Sequence, residues 1–355
     1  MKIIELEALR SFAAIYVVFH HTFAKFINSE IFISKFFIFG QEAVMMFFLL
    51  SGYVIMLNQS KKDYNFITYF KHRFFRIYTV IIPSLFISYI LFSLLNNYWT
   101  LNINDLILNL MMLQDKGDLK PGTIVNPIFH NEPLWSLSYE WWFYMIFFVH
   151  FILLKKIKNE RKTFFYTSTS FTLSLIGIIT YYIYFNQVSL FMIYYFIWAS
   201  GAILYMIFSE KDENRFKHIL LLLLFYFILI IIYFYLFLFN SNFTNYVSYP
   251  FLQFRHLVSA LILIILLIIT IKYFKNVLNT KIIQSIMKGF SKLAPISFGI
   301  YIIHYPIASY IDSYDINGFV KLSVVIIFTF ILSYIIEVLF FKHFIYKRFI
   351  KNADK

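Results

Sequence analysis

The chain has 355 residues, of which 61% are hydrophobic and only 14% charged, against roughly 25% charged residues in an ordinary soluble domain. Its 47 Phe, its 28 Tyr and its recurrent long apolar runs exclude a soluble globular protein. The lack of cysteine excludes disulfides, thiolate metal sites and a cysteine nucleophile, and the net charge of +13 is explained below without nucleic acid.

Ten apolar segments are long enough to cross a bilayer as helices, since a span needs about 20 residues. We therefore predict an all-α, polytopic membrane protein with about ten transmembrane helices. The predicted spans lie at about residues 9–27, 36–57, 77–97, 133–154, 163–185, 189–208, 218–240, 254–272, 293–311 and 319–341.

Basic residues concentrate in every second connection and in the C-terminal tail, whereas the segment from Ser241 to Gln253 has no charge. The positive-inside rule then predicts that both termini are cytoplasmic and that the basic residues are topology anchors. No cleavage site follows Lys2, so no cleavable signal is predicted. The abundance of Phe, Ile, Tyr, Asn and Lys is typical of AT-rich bacterial coding, which bears on coding bias alone. We expect the protein in the bacterial cytoplasmic membrane. The basic clusters run from Lys61 to Arg76, Lys155 to Lys162, Lys211 to Lys217, Lys272 to Lys292 and Lys342 to Lys355.

The longest connection runs from about Tyr98 to Glu132, on the side opposite the basic clusters. Connections of this length in a compact protein are usually functional. Spans and short loops use the rest of the chain, so we expect a single membrane domain over residues 1–355 with no attached soluble domain. No internal repeat is visible, so the inverted-repeat pattern of many transporters is missing.

The first span carries Arg10 and His21 in otherwise apolar surroundings. Eleven positions are close to three helical turns, so both side chains project from one face, roughly 16 Å apart along the axis. Ionisable groups inside a membrane helix are costly and are functional candidates by default. His20 lies about 100° away on the helical wheel and fits that face less well.

Arg73 and Arg76 lie three residues apart at the predicted cytoplasmic mouth of the third span, and therefore on one helical face. Two planar guanidinium groups suit phosphate. The plainer interpretation is a basic anchor at the end of the span, because basic residues at this depth are common.

The fourth span opens with aromatic residues between Trp135 and Tyr144 that are typical of a membrane interface. Glu140 does not fit that belt, since it lies more than one turn inside apolar surroundings. It could carry a proton or pair with an arginine.

The ninth span places Tyr301 and His304 on one helical face. A lone histidine in such a helix is more often a packing residue than a catalyst. In the second span, Ser51 and Gly52 are small residues of the kind that let membrane helices approach closely.

Together these segments resemble the acyltransferase 3 family of integral membrane acyltransferases, and the likeness covers nearly the whole chain. The family has a Leu-Asp-x-Leu-Arg lead-in, an Arg and a His in its first span, and an FFxLSGF/Y-type segment. An Arg-x-x-Arg pair, a WSLSxExxFY segment and an SYxIYLxH-like segment follow. They are matched in order at Leu6–Arg10, Arg10 with His21, Phe47–Tyr53, Arg73 with Arg76, Trp135–Tyr144 and Ser297–His304.

The resemblance implies transfer of an acetyl or other short acyl group from acyl-coenzyme A, with acetyl-coenzyme A as co-substrate and no metal. The acceptor would be a hydroxyl of a surface carbohydrate such as lipopolysaccharide O-antigen or capsule, free or lipid-linked. His21 would be the general base, because a neutral imidazole can take the hydroxyl proton. Arg10 would guide the donor, and Arg73 with Arg76 would bind the coenzyme A phosphates. Glu140 or Glu7 would orient His21, and the predicted substrate-binding residues are Glu7, Trp135, Tyr144, Tyr301 and His304.

The chain departs from the family pattern at several positions. Glu7 stands where Asp is usual, and Phe298 replaces a Tyr. Ala8 and Ser11 replace customary glycines. Met45 stands where many relatives have an acid, which puts a role for an acid at that position in doubt. We also expect no second, extracytoplasmic hydrolase domain of the kind that some relatives carry.

Two other classes of function remain open from the sequence. In a lipid or sugar-lipid transporter, His21, Glu140 and His304 would form a proton relay. An outer-leaflet polysaccharide polymerase would also have about ten spans and one long external loop, but its cytoplasmic arginine pair would have no substrate to bind.

Overall fold

The computed structural model describes residues 3–27, 35–209, 214–239, 247–273 and 278–350. Every element in these ranges is a helix, and no strand is found there. The twelve α-helices are α1 (Ile3–Phe26), α2 (Gly40–Lys62), α3 (Phe66–Asn96), α4 (Ile103–Leu110), α5 (Leu134–Lys155), α6 (Asn159–Ile183), α7 (Gln187–Ser209), α8 (Arg215–Phe239), α9 (Phe251–Tyr273), α10 (Lys281–Ser291), α11 (Ser297–Asp312) and α12 (Gly318–Tyr334).

Within these ranges, nine helical segments are long and apolar enough to cross a membrane. The chain is therefore a multi-pass membrane protein, as predicted. The remaining predicted span is α1, which has 24 residues but includes Glu5, Glu7, Arg10 and Lys25. The ninth predicted span is the α11 end of a longer unit in which α10 leads through a short 3₁₀ turn into α11. The tenth continues from α12 into a π-helix, Ile335–Ile350.

Helix α3 begins earlier than expected, at Phe66, where the side chain of Asn65 accepts a hydrogen bond from the Thr68 N–H. This cap starts the helix eleven residues before the predicted span, so Arg73 and Arg76 lie within it. The uncharged segment that starts at Ser241 and the basic cluster at Lys211 lie partly outside the described residues.

Two glycines allow α2 and α7 to pack at very short distance. A Cβ on Gly52 would lie 2.0 Å from the Trp198 carbonyl oxygen, and a Cβ on Gly201 would lie 1.8 Å from that of Leu49. The predicted role of Gly52 in close helix approach is confirmed. This contact fixes the position of α2. Residues of α2, including Ser51, line the two cavities of the candidate active site.

The connection between α3 and α5 folds back onto the helix bundle. Lys120 is 1% exposed, and its ammonium contacts the Asp115 carboxylate at 2.6 Å. Asp115 also accepts a hydrogen bond from the Tyr139 hydroxyl of α5. The Lys120 ammonium lies 4.0 Å from the centre of the Trp135 ring. This buried group holds the connection against the start of α5, close to the side chains of the predicted site.

Candidate active site

Helix α1 directs Arg10 and His21 toward the same neighbouring segment, as their spacing predicted. The Arg10 guanidinium donates to the carbonyl oxygen of Ala294, just before α11, at 2.9 Å. The His21 ring packs against two rings of α11, those of His304 and Tyr305, with centroid distances of 5.4 and 4.9 Å. The two residues nevertheless line different cavities.

The arginine cavity has a volume of about 310 Å³ and contains six of the ten predicted site residues. Three arginines and two glutamates meet there, and a third glutamate, Glu337, pairs with one of these arginines from outside the lining. Its polar lining includes Glu7, Arg10, Ser51, Asn58, Arg73, Arg76, Glu140, Tyr144 and Ser297.

Glu140 is held in this cavity by hydroxyl groups. The Ser51 hydroxyl donates to its Oε1 at 2.9 Å, and the Tyr144 hydroxyl donates to the same oxygen. No basic side chain in the described ranges lies within ion-pair distance of Glu140. The Arg73 guanidinium packs over the Tyr144 ring at 5.5 Å, and its buried Nε has no hydrogen-bond partner among the described residues. Arg73 has no ion-pair partner among the described residues, so its charge is available to a ligand in the cavity.

Arg76 has a protein partner that the sequence reasoning missed. Its Nη1 lies 2.8 Å from Oε1 of Glu337, whose side chain is fully buried. The other oxygen of Glu337 accepts the Gly299 N–H at 2.6 Å. The signal was visible in the sequence, because Glu337 is an ionisable residue within the tenth predicted span.

The histidine cavity has a volume of about 170 Å³ and lies farther along α1. Its lining includes two other predicted residues, Trp135 and Tyr301, together with groups that were not predicted. Its polar and aromatic lining is His20, His21, Gln41, Lys116, Glu132, Trp135 and Tyr301.

His304 is fully buried beside His21. Its Nδ1 lies 3.0 Å from the carbonyl oxygen of Ile300, and because a carbonyl can only accept, Nδ1 carries the proton. Its Nε2 is buried without a hydrogen-bond partner among the described residues. His20 is held differently, with Nδ1 donating to the Phe37 carbonyl at 2.6 Å. Of the two neighbouring histidines on α1, His21 is the one that packs on His304.

An ion pair forms one wall of the histidine cavity. The Lys116 ammonium lies 2.5 Å from the Glu132 carboxylate. Burial acts to raise the pKa of Glu132, but the charge of Lys116 and hydrogen bonds from Lys116 and Tyr305 outweigh it, so the pKa lies below its usual value. Both groups belong to the α3–α5 connection, which the sequence indicated as functional without indicating these residues.

An apolar layer separates the two cavities. Ala14 and Val18 of α1, between Arg10 and His21, form a cluster with Ile300, against which Phe47 packs. The Phe47 ring lines the arginine cavity and lies 5.2 Å from the ring of Tyr301, which lines the histidine cavity. We call Ala14, Val18, Ile300 and Phe47 the apolar plug.

The sequence left open whether Glu7 or Glu140 orients His21. Both line the arginine cavity, whereas the carboxylate in the histidine cavity belongs to Glu132. The reason is helical geometry, since Glu7 precedes His21 by fourteen positions, roughly 21 Å along α1.

Comparison with known proteins identifies acyltransferases. The family model described as "Acyltransferase domain" matches residues 3–338. Acyltransferase MdmB of Streptomyces mycarofaciens is 33% identical over 129 residues, which are 34% of this chain and 31% of that protein. The matched region is thus less than a third of the relative's length. No solved structure matches the chain.

Proposed function

The chain belongs to the acyltransferase family that this domain defines, and from that premise we propose that it moves an acetyl or other short acyl group from acyl-coenzyme A to a carbohydrate hydroxyl. The acceptor we propose belongs to a surface polysaccharide such as O-antigen or capsule, and the membrane to a bacterium. The observation that carries the proposal is the pair of polar cavities along α1, one basic and one lined by His21, with the apolar plug between them.

The arginine cavity suits the donor because coenzyme A is anionic. Guanidinium groups bind phosphate through two parallel hydrogen bonds, and Arg73 has donor groups to offer. Arg76 is neutralised by its pairing with Glu337, so a donor phosphate would share its guanidinium with that carboxylate. Among the arginines of this cavity, Arg10 shares helix α1 with His21. It would hold the part of coenzyme A that carries the acyl group, which we call the donor arm. The arm would reach across the apolar plug, since Arg10 and His21 are roughly 16 Å apart along the axis.

The histidine cavity suits the acceptor. In the proposed step, His21 takes the proton of an acceptor hydroxyl while that oxygen attacks the thioester carbonyl carbon. The carbon–sulfur bond then breaks, and the leaving thiolate receives the proton from His21. His304, which lies behind the His21 ring and outside the lining of either cavity, would position that ring, and Tyr301, which lines the histidine cavity, would position the acceptor. Trp135 lines the histidine cavity and would contact the acceptor there, and Tyr144 and Glu7 would contact the donor in the arginine cavity.

The arrangement is less suited to a proton relay. His21 and His304 are in contact, but Glu140 lines the other cavity and accepts its hydrogen bonds from Ser51 and Tyr144. The apolar plug would interrupt a relay between them. A polysaccharide polymerase would not require the three arginines that line the arginine cavity.

The decisive experiment measures release of free coenzyme A. The purified chain in lipid nanodiscs receives radiolabelled acetyl-coenzyme A, with and without a bacterial surface glycan. We expect coenzyme A release that depends on the glycan, with label appearing in the glycan as a base-labile ester. Release without label transfer, or no release with any glycan or acyl chain length, would contradict the proposal.

We further propose that both termini face the cytoplasm, so that the donor enters from the side where coenzyme A is made. Reporter fusions after Lys116 and Ser241 should be active outside, and fusions after Lys156 and Lys211 inside. An external reading at Lys156 would reverse the assignment of donor and acceptor sides.

A further inference from the structure

A third cavity lies beside the histidine cavity, within the α3–α5 connection. This crevice has a volume of about 710 Å³, within the range of sites that hold drug-sized ligands. Lys116 and Glu132 line both cavities, so their ion pair is the partition between the crevice and His21. We call this third space the loop crevice.

Charge distinguishes the loop crevice from the arginine cavity. Its lining includes the carboxylates of Asp105, Asp118 and Glu132 and one ammonium, that of Lys116, so its formal charge is negative. A phosphate or a carboxylate-bearing ligand would be repelled there, whereas a neutral ligand would not. Carboxylates and amides are also the groups that accept and donate hydrogen bonds to hydroxyls, and the amides of Asn102 and Asn126 line the same space.

Aromatic rings also line the loop crevice. The rings of Phe92 and Phe129 lie 5.8 Å apart, and Tyr98 lines the same space. Aromatic faces bind the apolar C–H faces of a flat, hydroxylated ring, while the surrounding polar groups bind its hydroxyls. Aromatic rings among acidic and amide groups are thus suited to saccharide rings.

The backbone that presents Phe129 is strained and held on both sides. Phe129 and the next residue, His130, have φ values of 57° and 51°, a region that bulky residues rarely adopt. Asn109, buried on one side, accepts the Ile128 N–H at 3.1 Å. Asn131, buried on the other, donates to the Ser88 hydroxyl at 3.1 Å. Such strain persists only where the surroundings fix it, and it concentrates at binding sites.

We propose that the loop crevice binds the acceptor as a neutral oligosaccharide, with one sugar ring on Phe129 and the reactive hydroxyl passing between Lys116 and Glu132 to His21. This inference rests on the proposed function and adds to it the position, the charge and the minimum size of the acceptor. An acceptor of a single ring would leave most of the crevice unfilled.

The test measures glycan binding without any acyl donor, so that it stands apart from the coenzyme A assay. Calorimetry with the full chain in nanodiscs compares a neutral trisaccharide, its uronic-acid counterpart and spermidine. We expect the neutral sugar to bind best. Phe129→Asn removes the ring, while Asn tolerates the left-handed backbone, and should weaken that binding about tenfold, the effect of one lost aromatic contact.

A matched control is Tyr184→Asn, which removes an aromatic ring that is 75% exposed and outside the crevice. It should leave glycan affinity unchanged, and neither variant should alter the donor KM. Equal affinity of wild type and Phe129→Asn for the trisaccharide overturns the proposal, as does stronger binding of the acidic sugar or of spermidine. If the sugar binds as expected but no coenzyme A is released, the proposed function fails and the crevice assignment stands.

Discussion

The pair formed by Arg76 and Glu337 gives the sharpest prediction about the donor side of the protein. Glu337→Gln removes the negative charge but keeps an oxygen that can accept the Gly299 N–H. Breaking one partner of a buried pair costs about 3–5 kcal/mol. The Arg76 side chain is 27% exposed, so water solvates part of the freed charge. With the hydrogen bond from Gly299 retained, worth about 1 kcal/mol, we expect the free energy of unfolding to fall by about 2–3 kcal/mol.

The assay is unfolding in mixed micelles titrated with a denaturing detergent, followed by tryptophan fluorescence. Arg76→Gln and the double variant Arg76→Gln/Glu337→Gln complete a double-mutant cycle. From this cycle we expect a coupling energy between the two residues of about 1–3 kcal/mol. Asp63→Asn is the control, because it breaks the exposed pair with Lys155 and should change stability by less than about 1 kcal/mol. Additive single variants, or a Glu337→Gln effect as small as that of Asp63→Asn, would refute the buried pairing.

Three further predictions concern the chemistry. His21→Gln should lower kcat for glycan acylation by about 10²–10⁴, whereas His20→Ala should keep most of it; equal losses would indicate a packing role for both. Arg73→Lys should raise the donor KM without changing protein level, because an ammonium cannot form the paired hydrogen bonds of a guanidinium; an unchanged KM would leave Arg73 only an anchor. The lowered pKa of Glu132 means that its pairing with Lys116 stabilises the fold above the ordinary carboxyl pKa of 4.5 and is lost as pH falls through the lower folded value. Unfolding measured against pH should show this acid-side loss, and it should be absent in Glu132→Gln.

The sequence alone predicted where most of the membrane helices lie. A span requires a long apolar run, and the thickness of the bilayer sets the length of that run. The sequence was also sufficient for single-helix geometry: the shared face of Arg10 and His21 follows from helical periodicity alone. The roles predicted for the site residues remain predictions. The structure shows which of these residues line the same cavity.

The division of those residues between two cavities could not be predicted. It depends on which helices meet and at what depth, and this follows from contacts such as Gly52 against α7, not from spacing within one segment. Lys116 and Glu132 come from a connection with no periodic pattern to predict its path. Glu337 lies outside the family-like segments, which end at His304, although an acid in an apolar span is itself a signal of function.

The apolar plug has an electrical consequence. The two cavities are polar recesses at different positions along α1 with the apolar plug between them, so a transmembrane voltage would fall mainly across the layer of Ala14, Val18, Ile300 and Phe47. A charge that crossed it would do work of about 2.3 kcal/mol per 100 mV, and the layer has no polar group to carry one. An acyl group is neutral, so its passage across the layer moves no charge. We therefore expect the proposed acyl transfer to proceed at a rate that is independent of membrane potential.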